Sequence, residues 1–189
     1  MGFSKAQKAE HHAQIVATAA EVFRERGLNG IGVADLMKEV GLTHGGFYSH
    51  FPSRDALVAV AIDYAFDDAG HNLRSRIAKE KGSSFERLIK AYLSKWHRDH
   101  PQNGCPVAAL AGDAARSGEQ GKSAFTERFE RYVEWVAGML DGTVQERRTQ
   151  AIATICAMAG AIAVSRALDD KRLSEEVIAA MLERCIDEN

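Results

Sequence analysis

Three prolines in 189 residues leave long stretches without a residue that breaks an α-helix. No stretch alternates apolar with polar residues for more than a few positions, so a β-sheet has no material to form from. Cysteine is equally sparse. Cys105, Cys156 and Cys185 are an odd number without metal-ligand spacing, which excludes a disulfide framework and a structural zinc site and reads as reduced thiols in a cytoplasmic protein. An excess of one charge is missing as well: 24 basic against 26 acidic side chains give a net charge of −2. Any nucleic-acid contact must then come from a few well-placed cations. Even the first 55 residues are balanced, with Lys5, Lys8, Arg24, Arg26, Lys38 and Arg54 against Glu10, Glu21, Glu25, Asp35, Glu39 and Asp55. The longest nearly apolar run, Ala151 to Val164, falls short of the ~20 residues that a membrane span requires. The polar N-terminus offers no secretory signal, and Ala6 stands where N-myristoylation needs Ser or Thr. No membrane partner is expected.

Catalytic and cofactor-binding patterns are also lacking. There is no activated nucleophile, no pair of carboxylates at useful spacing and no cofactor fingerprint. The triplet His97-Arg98-Asp99 has the order of a kinase catalytic loop, but no glycine-rich loop accompanies it and Asn103 comes one residue early. His97 and His100 are expected to act as basic residues near a helix C-terminus, where the dipole favours them. A small all-α enzyme therefore remains only the rival to a binding protein, and no cofactor or metal is expected.

What is present is apolar periodicity. Hydrophobic residues make up 46% of the chain and charged residues 26%, the balance of a folded globular protein. Apolar residues recur at helical spacing in about nine segments. The first runs from Lys5 to Arg26, with Ile15, Ala19, Val22 and Phe23 on one face and Gly27 as C-cap. A second covers Val33 to Val40, and a third runs from Thr43, a good N-cap, to His50. A fourth begins after Ser53 and continues towards Ala78. The fifth, from Ser83 or Ser84, carries Phe85, Leu88, Ile89, Tyr92, Leu93 and Trp96 and stops before Pro101. A sixth begins at Cys105-Pro106, where a first-turn proline is welcome. The last three span about 119–140, 143–168 and 173–187.

Two adjacent glycines in 41-GLTHGGFYSHF-51 are costly inside a short helix, by about 1 kcal/mol each relative to alanine. Three short helices with the tight Gly41-Leu42-Thr43 turn before the third form the layout of a helix-turn-helix, whose third helix enters the DNA major groove by its N-terminal half. Small residues there let the backbone approach DNA. Phe47 and Phe51, four apart, would anchor this helix on Ile15, Val22 and Phe23. Thr43, His44, Gly45, Gly46, Tyr48 and His50 are then left for the DNA side. A phosphate-binding loop is a weaker reading, because no strand precedes the glycines and no Lys-Ser/Thr follows.

From Lys5 to Ile62 the chain resembles the DNA-binding domain of the TetR (AcrR-type) family of transcriptional regulators. The resemblance rests on the Ile15-to-Phe23 pattern, Gly27, the Gly41-Leu42-Thr43 turn, Phe47-Tyr48, His50-Phe51 and Ser53-Arg54 before Leu57. It implies a helix-turn-helix domain over residues 1–54 and a helical ligand-binding and dimerisation domain over 55–189. It further implies that Tyr48, His50 and Arg54 touch the phosphate backbone, while Thr43, His44 and Gly45 sit against bases or phosphates. His12 replaces the arginine the family often carries three residues before the first-helix isoleucine, which weakens one phosphate contact. The expected partners are double-stranded operator DNA, a second copy of the chain joined through the last two helices, and a small apolar effector. The expected action is that of a repressor released by the effector.

In the second domain the aromatic residues Phe66, Tyr92, Trp96, Phe125 and Phe129 are candidates for lining the effector cavity, with Cys105 at its edge. Cys105 opens a helix, where the dipole favours a thiolate. That position makes an electrophile or redox sensor the alternative to reversible ligand binding. Cys156 and Cys185, on apolar faces of the interface helices, are expected to be less reactive.

Overall fold

The computed structural model describes residues 4–187, and among these every regular element is helical. Nine α-helices follow one another: α1 (Lys5–Arg26), α2 (Val33–Glu39), α3 (Arg54–Ile77), α4 (Ser84–Tyr92), α5 (Lys95–Asp99), α6 (Pro106–Ala114), α7 (Glu119–Ala137), α8 (Val144–Ala167) and α9 (Lys171–Asp187). Two 3-10 helices, His44–Ser49 and Pro101–Asn103, complete the order. The expected third helix is thus a 3-10 helix.

Helix ends follow local chemistry. Ser4 and Gln7, Ser83 and Glu86, and Thr143 and Glu146 each form a capping box, in which two otherwise unpaired N–H groups are satisfied reciprocally. Gly27 ends α1 at φ 79° and Gly41 turns the chain after α2 at φ 71°, both in the left-handed region that favours glycine.

The expected single helix from Ser83 to Pro101 is broken in two. Tyr92 ends α4, and Ser94 caps α5 by accepting from the His97 amide. The break is possible because side chains take up the carbonyls that the helix gives up. The Arg76 guanidinium and the Ser94 hydroxyl donate to the Ala91 carbonyl, and His97 Nδ1 lies 2.8 Å from the Tyr92 carbonyl. Apolar periodicity carries no trace of such an exchange.

One core runs through the molecule. α1 supplies Ile15, Ala19 and Phe23, α3 supplies Leu57, Ile62 and Ala65, and α8 supplies Ile155, Met158 and Ile162, all fully buried. α3 is the shared element, packing against α1 at one end and α7 along its length. At 24 residues, α8 is long and apolar enough to cross a bilayer by length and composition, which the shorter run counted in the sequence did not disclose. Its Ile155, Met158 and Ile162 nevertheless face the core, against α6, α7 and α9.

Candidate nucleic-acid interface and effector chamber

α2, the Val40–Thr43 turn and the 3-10 helix form a helix-turn-helix. The turn is closed by Leu42 N–H donating to the Met37 carbonyl and Gly41 N–H donating to that of Lys38. Thr43 occupies the N-cap position, but its hydroxyl makes no capping bond. Phe47 and Phe51 are buried with ring centroids 5.5 Å apart, pinning the 3-10 helix to the core beneath it. Tyr48 is the opposite, 66% exposed beside His44. A side chain at Gly45 would meet nothing within 4 Å, and one at Gly46 would make only ordinary contacts. Neither glycine is required by packing within the subunit.

His50 lies beside Lys8, His11 and His12. Its ring is 6.4 Å from His11 and 6.1 Å from His12, and His12 in turn stacks on Phe51 at 4.6 Å. Burial first, then His12, Lys8 and His11, lower the His50 pKa. Lys5, Lys8, His12, Ser49 and His50 together line a shallow concavity beside the 3-10 helix. A phosphate there would meet ammonium and imidazole donors at once, the Ser49 hydroxyl being given to the Gly46 carbonyl.

Arg54 is turned inward. Its guanidinium donates to the Leu28 and Ile31 carbonyls, reaches Asn29 Oδ1 and lies 5.9 Å over the Phe23 ring. It ties the start of α3 to the α1–α2 connection, so the fork expected at a phosphate is largely committed to the protein's own backbone.

Behind α3 lies a chamber of about 310 Å³, at the small end of ligand pockets. Phe66, Leu73 and Arg76 of α3, Tyr92 of α4, and Tyr132 and Trp135 of α7 form its walls, and Gly104, Cys105 and Pro106 close one end. His97 is fixed there rather than charged. Its Nδ1 donates to the Tyr92 carbonyl and its Nε2 accepts from Cys105 N–H at 2.9 Å. Burial, and then the charge of Arg166, push its pKa down to about 3. The expectation of a basic histidine near a helix C-terminus fails because both ring nitrogens are committed to buried backbone. His100 turns elsewhere, with Nδ1 2.8 Å from the Trp96 carbonyl.

Two connections tie this chamber to the helix-turn-helix. Arg24 of α1, fully buried, pairs with Asp68 of α3 at 2.7 Å and donates to the carbonyls of Ala65 and Gly104. Asp113 of α6 accepts from Leu28 N–H at 3.2 Å.

Residues 15–61 match the family model described as bacterial regulatory proteins, tetR family. Residues 82–179, slightly more than half of the chain, match the LmrA/YxaF-like transcriptional regulator C-terminal domain. The chain belongs to the TetR family of transcriptional regulators. It is 30% identical over 104 residues to the uncharacterized HTH-type transcriptional regulator Rv0196 of Mycobacterium tuberculosis H37Rv, covering 53% of this chain and 52% of the relative. The chain thus spans about half the length of that curated relative. The HTH-type transcriptional repressor NemR of Escherichia coli K12 is 21% identical over 145 residues, covering 75% of this chain and 71% of NemR. Among solved structures, a TetR-family regulator from Cytophaga hutchinsonii superposes with a TM-score of 0.78 at 20% identity, covering 99% and 98% of the two chains. The reduced form of E. coli NemR superposes with a TM-score of 0.74 at 17% identity, covering 93% and 95%. These likenesses carry the fold.

The helix-turn-helix brings His44, Gly45, Gly46, Tyr48 and His50 onto one short element. Of the residues expected to line the cavity, Phe66, Tyr92 and Cys105 do so. Phe125 and Phe129 do not. They stack 6.4 Å apart, and Phe125 packs on Phe66, closing the core beside the chamber. Trp96 lies outside, 38% exposed, between the Arg76 guanidinium and the His100 ring, because the α4–α5 break rotates it off the face it would share with Tyr92. Arg76, Tyr132, Trp135 and His97 line the chamber instead. Trp135 belongs to the aromatic set of the second domain that the sequence offers, and Tyr132 stands three residues before it on the same face of α7, a spacing that could have found it; no sequence signal points to Arg76.

Cys105 stands at the chamber edge as expected, but its thiol departs from the expected thiolate. Burial raises its pKa and outweighs the lowering by Tyr92 and the amides of Val107 and Ala108. Cys156 is exposed in the subunit while Cys185 is buried, so the pair does not share one environment.

Proposed function

We propose that the chain is a homodimeric repressor that leaves a palindromic operator when a small molecule occupies the chamber behind α3. The observation that carries this reading is the Gly104–Cys105 segment. Its Gly104 carbonyl holds Arg24 of α1, while the adjacent Cys105 lines the chamber. A ligand that favours a displaced 104–106 segment would move α1 and the helix-turn-helix through Arg24. It would do so only to the extent that it binds that conformation more tightly. The domain division follows, with residues 1–54 reading DNA and 55–189 binding effector and partner. NemR, named a repressor, supports the sign of the response.

Tyr48, His50 and the concavity of Lys5, Lys8 and His12 would hold phosphates, and Thr43, His44 and Gly45 would face base edges. The test is binding to DNA fragments that the purified protein retains from its own genome. Tyr48→Ala with His50→Ala should weaken all fragments alike, by roughly 1–3 kcal/mol in total for charge-assisted and neutral backbone bonds. His44→Ala should instead change the ranking of fragments. Unchanged binding by the double variant would remove the assignment, and in vitro transcription decides repression against activation.

The dimer would form through α8. Ala153, Cys156, Gly160, Ala163, Val164 and Ala167 are exposed along one side of it, and small residues allow close helix approach. Of the apolar residues of α9, Ile178 and Cys185 are already buried within the subunit, which leaves Val177, Met181 and Leu182 to contribute.

A further inference from the structure

Two buried hydrogen-bonding groups around the chamber have no protein partner, the Tyr132 hydroxyl and Nε of Arg76, and the Tyr92 hydroxyl meets no protein group but the Cys105 thiol. A buried donor left unsatisfied is costly, so each of these groups calls for an acceptor. Tyr92 is only 1% exposed, and it lies within electrostatic reach of Arg76, Tyr132 and Cys105. Burial raises the pKa of both phenols well above normal, so both keep their protons and act as donors.

The cations around the chamber are not equivalent. Arg128 is held by Asp63 and Asp67, and Arg131 by Glu127 at 2.5 Å. Arg76 has no carboxylate partner among the described residues. One Nη donates to the Ala91 carbonyl at 2.6 Å and its plane lies 4.3 Å over Trp96. That positions the guanidinium without neutralising it, and its partial burial already lowers its pKa. Arg74 adds a second cation at the rim, and Asp67, the one carboxylate at the wall, is taken by Arg128. His97 adds no charge, as both its nitrogens are occupied. Apart from Asn72 and Asn103 the remaining wall is chiefly apolar, with Phe66, Leu73, Pro106 and Trp135.

We propose that the chamber takes an aromatic carboxylic acid, its ring against Phe66 and Trp135 and its carboxylate on Arg76 and the tyrosine hydroxyls. The proposal rests on reading the chamber as the effector site and replaces the purely apolar effector expected from the sequence. A neutral hydrocarbon would seal the unused Tyr132 and Arg76 donors inside the protein. An ammonium would face Arg76 and Arg74. A small inorganic anion would leave the apolar wall unfilled.

The test is calorimetric titration of the full chain with 2-naphthoate, 2-naphthamide, 2-naphthylmethylammonium and inorganic phosphate. Naphthoate should bind at least roughly tenfold more tightly than the amide, as expected for a charge-assisted bond, and the ammonium most weakly. Arg76→Gln should abolish the preference for acid over amide. Tyr132→Phe, which removes only an unpartnered hydroxyl, should weaken naphthoate several-fold in a fully folded protein. Amide, ammonium or phosphate binding as tightly as naphthoate, a preference that survives Arg76→Gln, or no binding by any probe would overturn the proposal. Operator binding, followed by anisotropy on the same samples, reports separately on the regulator. An operator released by the amide but not the acid refutes the acid and keeps the ligand-responsive reading. An operator unmoved by bound naphthoate keeps the acid site and refutes release.

Discussion

At the scale of single residues, the chain shows how far the same side chain type can diverge. His50 is a surface imidazole crowded by Lys8, His11 and His12, while His97 is a neutral brace between two backbone groups. The brace makes stability depend on pH. Its folded pKa of about 3 lies below the ordinary histidine value near 6.5, so the unfolded chain binds more protons between those limits. Stability supplied by neutral His97 is therefore fully present above about pH 6.5 and is lost as pH falls towards 3, with a slope of about 1.4 kcal/mol per pH unit. Urea denaturation at pH 7, 6 and 5 measures it. His97→Gln, which cannot be protonated, should lower stability at pH 7 yet flatten this slope, and an unchanged slope would show that another group titrates. Arg54 makes the complementary point. Ser53-Arg54 belongs to the pattern by which the domain is identified, yet the guanidinium spends its donors on Leu28 and Ile31.

At the scale of elements, α1 and α3 are fastened by a charge pair rather than by apolar contact alone. The Arg24 side chain is fully buried and that of Asp68 is 28% exposed. Removing the carboxylate leaves an uncompensated guanidinium that Ala20, Ala65 and Gly104 solvate only through carbonyls. Asp68→Ala should cost on the order of 3 kcal/mol, measured by chemical denaturation, whereas Glu10→Ala on the exposed face of α1 should be close to neutral. The broken α4–α5 segment is the other lesson at this scale. Its two freed carbonyls are bound by Arg76, His97 and Ser94, and the same three bonds shape the wall of the chamber.

At the scale of the whole molecule, two-fold symmetry would set the DNA spacing. Gly160 has open space where a side chain would stand, so Gly160→Arg should fold normally as a subunit yet block the approach of a partner helix. Light scattering should then report a dimer for the native chain and a monomer for the variant, with helical circular dichroism unchanged and operator affinity lost. A dimeric variant would move the interface away from α8. In a dimer fit for successive major grooves, the two His44–Ser49 elements stand roughly 34–36 Å apart, or farther on a longer site. Cross-linking distances at Tyr48 would measure this.

The sequence by itself determined the all-α class, the caps at Gly27 and Ser53, and the helix-turn-helix from Gly41 to Phe51. Each follows from contacts within a few residues along the chain, where side-chain type and spacing are enough. It also placed Phe66, Tyr92 and Cys105 near one cavity through the family resemblance. Only the tertiary structure decided that Arg54 faces inward, that the helix breaks after Tyr92, that His97 is neutral and that Arg76 stands unpaired. Those outcomes depend on which distant group reaches each side chain first: the Leu28 carbonyl for Arg54, the Tyr92 carbonyl and the Cys105 amide for His97, Asp68 for Arg24, and for Arg76 the Ala91 carbonyl but, among the described residues, no carboxylate. A pairing across 26 or 44 residues leaves no period in the sequence, so charge and hydrogen bonding in the chamber become legible only when the helices are assembled.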